Sequence, residues 1–237
     1  MACGVAAVES ERRGCDAWMD SSRCIRDISF LDSRIDKSSL SFPFKRIDCP
    51  LRVAFSSIPG GIMKSSCQIE SEPLPGVCLI RSFVCNDERG MFGKPYSQSD
   101  FAKLGISFSP VEHFYSLSRR HVLRGMHFQR EPASMSKLVW CTRGKVLDVV
   151  VDIRTDSPWF NRPFTCELTE HEPVGIFIPQ GYAHGFLSLE DDSATHYLVS
   201  VGHDPGLDVG VLWSSINFDW PIANPVLSER DLRLPSI

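Results

Sequence analysis

From about residue 73 onward, short runs of Val, Ile, Leu and Phe alternate with Gly, Pro and Asp turns, and that spacing confines the chain to strands. Lys137-Leu138-Val139-Trp140-Cys141 is followed by the turn Thr142-Arg143-Gly144 and then by a long strand from Lys145 to Ile153. Within that strand Asp148 and Asp152 are spaced to fall on one face. Gly175-Ile176-Phe177-Ile178 ends at Pro179, which has no N–H for a ladder, and Thr195 to Val201 forms another strand. Helical periodicity is weak except around Ser97 to Leu104, where Ser97 or Ser99 can cap a short helix. Many short strands with turn punctuation predict an all-β sandwich or barrel with a few short helices.

The first 62 residues are different. Stretches such as Ser21-Ser22-Arg23-Cys24 and Asp36-Lys37-Ser38-Ser39 cannot supply a core face. No apolar signal region is present, and Glu9, Glu11, Asp16, Asp20 and Asp27 come too early for a transit peptide. Residues 1–62 read as a disordered extension, or as translated sequence upstream of the true start, since Met63 can serve as an initiator. Residues 63–237 then form the folded domain. A formal charge of −4 without any basic block argues against a nucleic-acid surface, and no apolar run approaches a membrane span. The nine cysteines include no C-x-x-C pair, which predicts reduced thiols in an aqueous, cytoplasmic setting rather than a zinc site.

Two histidines sit in stretches that carry chemistry. Pro179-Gln180-Gly181-Tyr182-Ala183-His184 resembles the second motif of the cupin jelly roll, where Pro-x-Gly-x-x-His ends a barrel strand. The first motif of metal-binding cupins supplies His-x-His and then a glutamate. Here the stretch reads Gly125-Met126-His127-Phe128-Gln129, with glutamine for the second histidine and Lys137 in the glutamate's region. Two histidines beside a lysine cation make a poor divalent-metal site, so no metal is expected. Alternation would put Gly125, His127 and Gln129 on one inner face. Cationic side chains inside a barrel are costly unless an anionic ligand or carboxylates offset them, which argues for a binding site.

Taken in order, further blocks are similar to the dTDP-4-dehydrorhamnose 3,5-epimerase family. They are Asp87-Glu88-Arg89-Gly90, Val122 through Gln129, Lys137-Leu138-Val139, Asp148 through Arg154, and Ser157-Pro158. The resemblance continues through Ile178 to Phe186, Trp220-Pro221 and Leu227-Ser228-x-x-Asp231, covering about Glu70 to the C-terminus and none of residues 1–62. It implies a cupin-like jelly-roll barrel and a homodimer with N-terminal strand exchange. It also implies a cofactor-independent isomerase acting at C3, C5 or both of a nucleoside-diphosphate 4-keto-6-deoxyhexose, in deoxysugar (rhamnose-like) biosynthesis. The ketone acidifies the neighbouring C–H bonds, and a neutral imidazole can remove such a proton. By resemblance His127 is the base, Asp231 orients it, Tyr197 supplies a proton from the opposite face, and Lys137 stabilises the enolate oxygen. Arg89 and Arg124 match arginines that hold the diphosphate, and Arg230 replaces a lysine of similar duty. His184 is similar to a substrate-contacting histidine and Asp208 replaces a glutamate.

Four binding positions depart from the family. Lys94 stands where a glutamate is usual, Glu112 and Phe114 replace a Gln-x-Asn pair, and His203 takes the place of the aromatic that stacks on thymine. The expectation is a conserved reaction on a different nucleotide or a modified sugar. Two competing readings are a jelly-roll protein that binds a nucleotide sugar without turnover and a metal-dependent cupin oxygenase. Keeping His127, Tyr197, Lys137 and Asp231 disfavours the first, because a binder needs no opposed acid and base. Gln129 and the missing glutamate disfavour the second.

Overall fold

The protein is described by a computed structural model over residues 67–237. The expectations for residues 1–62 and for a start at Met63 lie outside the described residues. Among the described residues thirteen strands follow in order: β1 (Gln68–Leu74), β2 (Val77–Arg81), β3 (Phe83–Asp87), β4 (Gly90–Lys94), β5 (Glu112–Ser118), β6 (Leu123–Gln129) and β7 (Lys137–Arg143). After them come β8 (Lys145–Asp152), β9 (Pro163–Thr169), β10 (Val174–Ile178), β11 (Tyr182–Ser188), β12 (Ser193–Val199) and β13 (Asp208–Gly210). One sheet has the order β1-β2-β10-β7-β12-β5, the other β13-β6-β11-β8-β9, and β3-β4 stands as a two-stranded sheet of its own. From β5 to β8 and again from β9 to β13 each strand lies in the opposite sheet from the one before it, the chain course of a jelly roll. Ser193–Val199 begins and ends two residues earlier than the run read from hydropathy, because Ser193 and Thr195 are buried on the inner face despite their hydroxyls.

Alternation decides which side chains meet. Val139 and Cys141 of β7, Val146 and Val150 of β8, Ile176 and Ile178 of β10, Tyr182 and Phe186 of β11 and Tyr197 of β12 fill one core cluster between the sheets. Met126, Val149, Val151 and Ala183 point the other way, where Val211, Ile216, Phe218, Trp220 and Ile237 of the C-terminal segment cover them. The outer face of the six-stranded sheet is covered in part by α1 (Gln98–Lys103). Ser97 is its N-cap residue, but its hydroxyl pairs with Ser99 rather than with a helix amide. Six residues cannot hold a helix by themselves. Phe101, fully buried against Phe108 and Phe177, anchors it, and such a burial contributes about 1.5–3 kcal/mol. Among the described residues no helix is long and apolar enough to cross a membrane.

One irregularity matters for everything that follows. Along β6 and β11, His127 lies opposite His184 and Arg124 opposite Phe186, so three steps on β6 match two on β11. This is a β-bulge with its extra residue on β6. In a regular strand Arg124 and His127 would point to opposite faces. Here both face inward with Phe186 and His184, a departure from the simple alternation expected from the sequence. The bulge requires glycine: Gly125 has φ +133°, and a Cβ there would lie 2.6 Å from the Cα of Gly185 and 3.0 Å from the His184 carbonyl oxygen. Gly125→Ala is therefore expected to destabilise the fold by about 1–3 kcal/mol and to separate β6 from β11. Urea unfolding measures the first effect, and a variant as stable as the wild type would show that the close approach is unimportant.

Candidate active site

Six strands bring their inner faces to one pocket. His127 comes from β6 and His184 from β11 of one sheet, with Asp148 on the neighbouring β8. Facing them from the other sheet are Lys137 at the start of β7, Tyr197 on β12 and Phe114 on the edge strand β5, where Tyr197 is opposite both Val139 and Phe114.

Nε2 of His127 lies 2.7 Å from Oδ1 of Asp231, a contact that spans 104 residues of chain. Asp231, which near a chain end reads most simply as a surface charge, is only 3% exposed. It opens a single 3-10 turn, Asp231–Arg233, and its own amide donates to the Ser228 hydroxyl at 3.1 Å. The bulge contributes directly, because the Gly125 amide donates to Oδ2 of Asp231 at 3.4 Å. Burial works against the Asp231 charge. The His127 bond and charge, the Gly125 amide and the Ser228 hydroxyl together outweigh it and hold the carboxyl below its ordinary range.

A second histidine–carboxylate pair lies directly across the ladder. His184 and Asp148 are both buried, with Nε2 2.8 Å from Oδ2. That Asp148 shares a face of its strand with Asp152 was legible, but its pairing with His184 was not, because 36 residues separate the two. Lys137 donates from Nζ to the His127 carbonyl at 3.2 Å. Burial pushes its ammonium down to about 8, against the pull of Asp208 and Asp148 and with some repulsion from Arg230. Burial pushes the Tyr197 phenol well above its ordinary range.

The inner face of β5 serves the pocket residue by residue. Glu112 accepts the His203 amide at 3.2 Å, Phe114 lies flat on Tyr197 with ring centres 4.8 Å apart, and Ser118 accepts from Arg124 Nε at 3.1 Å. Asp208 is the hub of the mouth: Arg230 Nη1 is 2.8 Å from its Oδ2 and His203 Nδ1 is 3.9 Å from the same atom. The glutamine in the usual metal-histidine position has a different job. Gln129 donates to the Ala133 carbonyl at 2.8 Å and the Gly202 carbonyl at 3.3 Å and accepts the Asp204 amide at 2.8 Å. It thereby pins the loop that carries His203 from both sides, a role with no local sequence signal.

Two of the residues expected to bind substrate are spent elsewhere. Lys94 pairs with Asp100 at 3.4 Å and lies 5.7 Å from the centre of the Phe83 ring. Asp100 belongs to α1, which packs on the outer face of the six-stranded sheet, so within this chain Lys94 does not line the pocket. Its charge, reversed from the family's glutamate, is used in a local ion pair. Arg89 sits at the turn of the β3–β4 hairpin, highly exposed and paired with Asp87.

His127 paired with the buried Asp231 on one sheet, and Tyr197 and the Lys137 ammonium on the other, are groups that can give and take protons. Comparisons with known proteins show the family. Residues 71–237 match the family model described as dTDP-4-dehydrorhamnose 3,5-epimerase. A Shigella flexneri protein of that name is 38% identical over 162 residues, covering 67% of this chain and 90% of that protein. The crystal structure of the Bacillus anthracis dTDP-4-dehydrorhamnose 3,5-epimerase with TDP and PPi bound has a TM-score of 0.71 at 30% identity, covering 73% of this chain and 100% of the other. For the Legionella pneumophila dTDP-6-deoxy-D-glucose-3,5-epimerase in complex with dTDP-4-keto-L-rhamnose the TM-score is 0.68 at 29% identity, with 72% and 92% covered. The chain belongs to the dTDP-4-dehydrorhamnose 3,5-epimerase family.

Proposed function

We propose that in this epimerase His127 removes a proton from the carbon beside the C4 ketone of a nucleoside-diphosphate 4-keto-6-deoxyhexose, and that Tyr197 returns one from the opposite face. The observation that carries the reading is the His127–Asp231 pair on one sheet facing Tyr197 on the other. Asp231 accepts from the Nε2–H of His127, which leaves Nδ1 as the basic nitrogen. The C–H bond breaks, its proton goes to His127 and its electron pair moves onto the C4 oxygen as an enolate. The Lys137 ammonium stabilises that oxygen inside the pocket, where charge interactions are strong. When the enolate collapses, the Tyr197 hydroxyl protonates the same carbon from the other side, and exchange with solvent resets both groups. No redox partner enters the balance.

Arg124 and Arg230 carry planar guanidinium groups suited to a diphosphate. The Legionella relative was crystallised with a dTDP-linked 4-keto sugar, which supports a nucleotide sugar of that class here. Glu112, Phe114 and His203 form the wall that departs from the family, which favours a different nucleotide or a modified sugar. Cys67, Cys78, Cys85 and Cys141 are free thiols and favour a reducing, cytoplasmic setting. A homodimer is favoured by the β3–β4 hairpin, which exposes Met91 and Phe92 beside Arg89. In that arrangement the hairpin delivers Arg89 to the partner's pocket.

Three measurements test this. In D2O, with a series of nucleotide-linked 4-keto-6-deoxy sugars, deuterium is expected at C3, C5 or both. His127→Ala should abolish its uptake, and Tyr197→Phe should abolish inversion. Uptake that survives His127→Ala would remove the base assignment, and no uptake with any sugar would favour a silent binder. Lys137→Met should lower kcat by about 10²–10³. Because the charged form acts and burial has lowered Lys137 to about 8, wild-type kcat/KM should fall as pH rises through that value. That limb should be missing from the residual activity of Lys137→Met. Finally, mixing Arg89→Ala with His127→Ala protein should regenerate activity if Arg89 acts across the dimer. An inactive mixture of exchanging dimers would place Arg89 in its own subunit's site or outside the chemistry.

A further inference from the structure

Tyr197 must stay protonated and must point in one direction, because a proton delivered from solvent or from the wrong face undoes the inversion. Its position in the sheet makes both requirements hard to meet. β12 has only one strand beyond it, the edge strand β5, so any gap in the β5 side-chain row opens Tyr197 to water at the sheet edge. The residue opposite Tyr197 on β5 is Phe114. The two rings are nearly parallel, 15° apart with centres 4.8 Å apart. Exposure is divided between them very unequally: Phe114 is 46% exposed and Tyr197 only 8%. Phe114 therefore takes the solvent-facing position and shields the phenol behind it. The His184 ring, from the other sheet, meets Tyr197 at a steep angle of 70° with centres 6.0 Å apart. Contact with two rings leaves the phenol little freedom to rotate.

We propose that Phe114 is the positioning residue for the proton donor. By covering the exposed face of Tyr197 it fixes the direction from which the second proton arrives and so sets how often a deprotonated intermediate ends as inverted product. Phe114 acts through Tyr197 and takes no part in bond making. The inference rests on the reading of Tyr197 as the acid. It gives this chain's departure from the family's asparagine a purpose in proton delivery, beyond the recognition of a nucleotide. The groups facing the phenol are consistent with it. Burial raises the Tyr197 pKa most, Asp148 and Cys141 raise it further, and the neighbouring Ser116 and Arg124 lower it, so exclusion of water is the largest influence on its protonation.

The test separates the two half-reactions. Wild-type protein, Phe114→Leu and Phe114→Tyr are incubated in D2O with dTDP-4-keto-6-deoxyglucose as the probe. Both deuterium in recovered starting material and inverted product are then quantified. Phe114→Leu is expected to lower the ratio of inversion to wash-in about tenfold. Phe114→Tyr keeps the ring face and should restore the ratio. If inversion and wash-in fall together in a folded Phe114→Leu protein, or if the ratio stays at the wild-type value, the proposal is wrong. Should Phe114→Leu fail to fold, Phe114→Met provides the same comparison. Failure of the underlying reading looks different, since in that case Tyr197→Phe itself would still invert the sugar.

Discussion

The bond between His127 and Asp231 holds together parts of the chain that have no other reason to meet. It ties β6, next to the edge of the five-stranded sheet, to a 3-10 turn near the C-terminus, 104 residues away. The C-terminal segment must therefore fold back across the outside of that sheet, and it does so by burying Val211, Ile216, Phe218, Trp220 and Ile237 against Met126, Val149, Val151 and Ala183. Apolar packing positions the turn, and the turn supplies the carboxylate. A buried carboxylate without partners would be expensive, so Asp231 is stable there because the Gly125 amide and His127 satisfy it, while Ser228 accepts the Asp231 amide.

The bulge in β6 converts a strand into a site. A strict two-residue period can present His127 or Arg124 to the pocket, never both. One extra residue at the glycine pair of Gly125 and Gly185 turns the arginine inward and also points the Gly125 amide at Asp231. The same geometry sets His127 beside His184, so the pocket contains two imidazole–carboxylate pairs on adjacent strands. The carboxylate of the second pair, together with Asp208, keeps the Lys137 ammonium from being lowered further. Asp148 thus acts on both Lys137 and Tyr197, although they come from the other sheet.

Three of the four positions that depart from the family resemblance, Glu112, Phe114 and His203, lie together on one side of the pocket. Glu112 and Phe114 share the inner face of β5, and Glu112 holds the loop of His203, which Gln129 also pins. Changes confined to an edge strand and the loop beside it can alter what is bound without disturbing the strands that carry His127 and Lys137. The wall also reaches the chemistry at one point, where Phe114 covers Tyr197.

Much of this was legible in the sequence. The turn-punctuated apolar runs required a β sandwich or barrel, the alternation in β8 put Asp148 and Asp152 on one face, and ordered motif blocks named the family. Local periodicity could do this because a strand's faces are decided by neighbours two residues away. It could not show that Arg124 shares a face with His127, since a bulge arises only when two strands are paired. Nor could it match His184 to Asp148, assign Gln129 to the His203 loop, or remove Lys94 from the pocket to its ion pair with Asp100. Each of those depends on which distant segment comes within hydrogen-bond range. The sequence determined the residues available for proton transfer; the tertiary structure decided their partners, because burial and pairing are properties of the packed sheets rather than of any single strand.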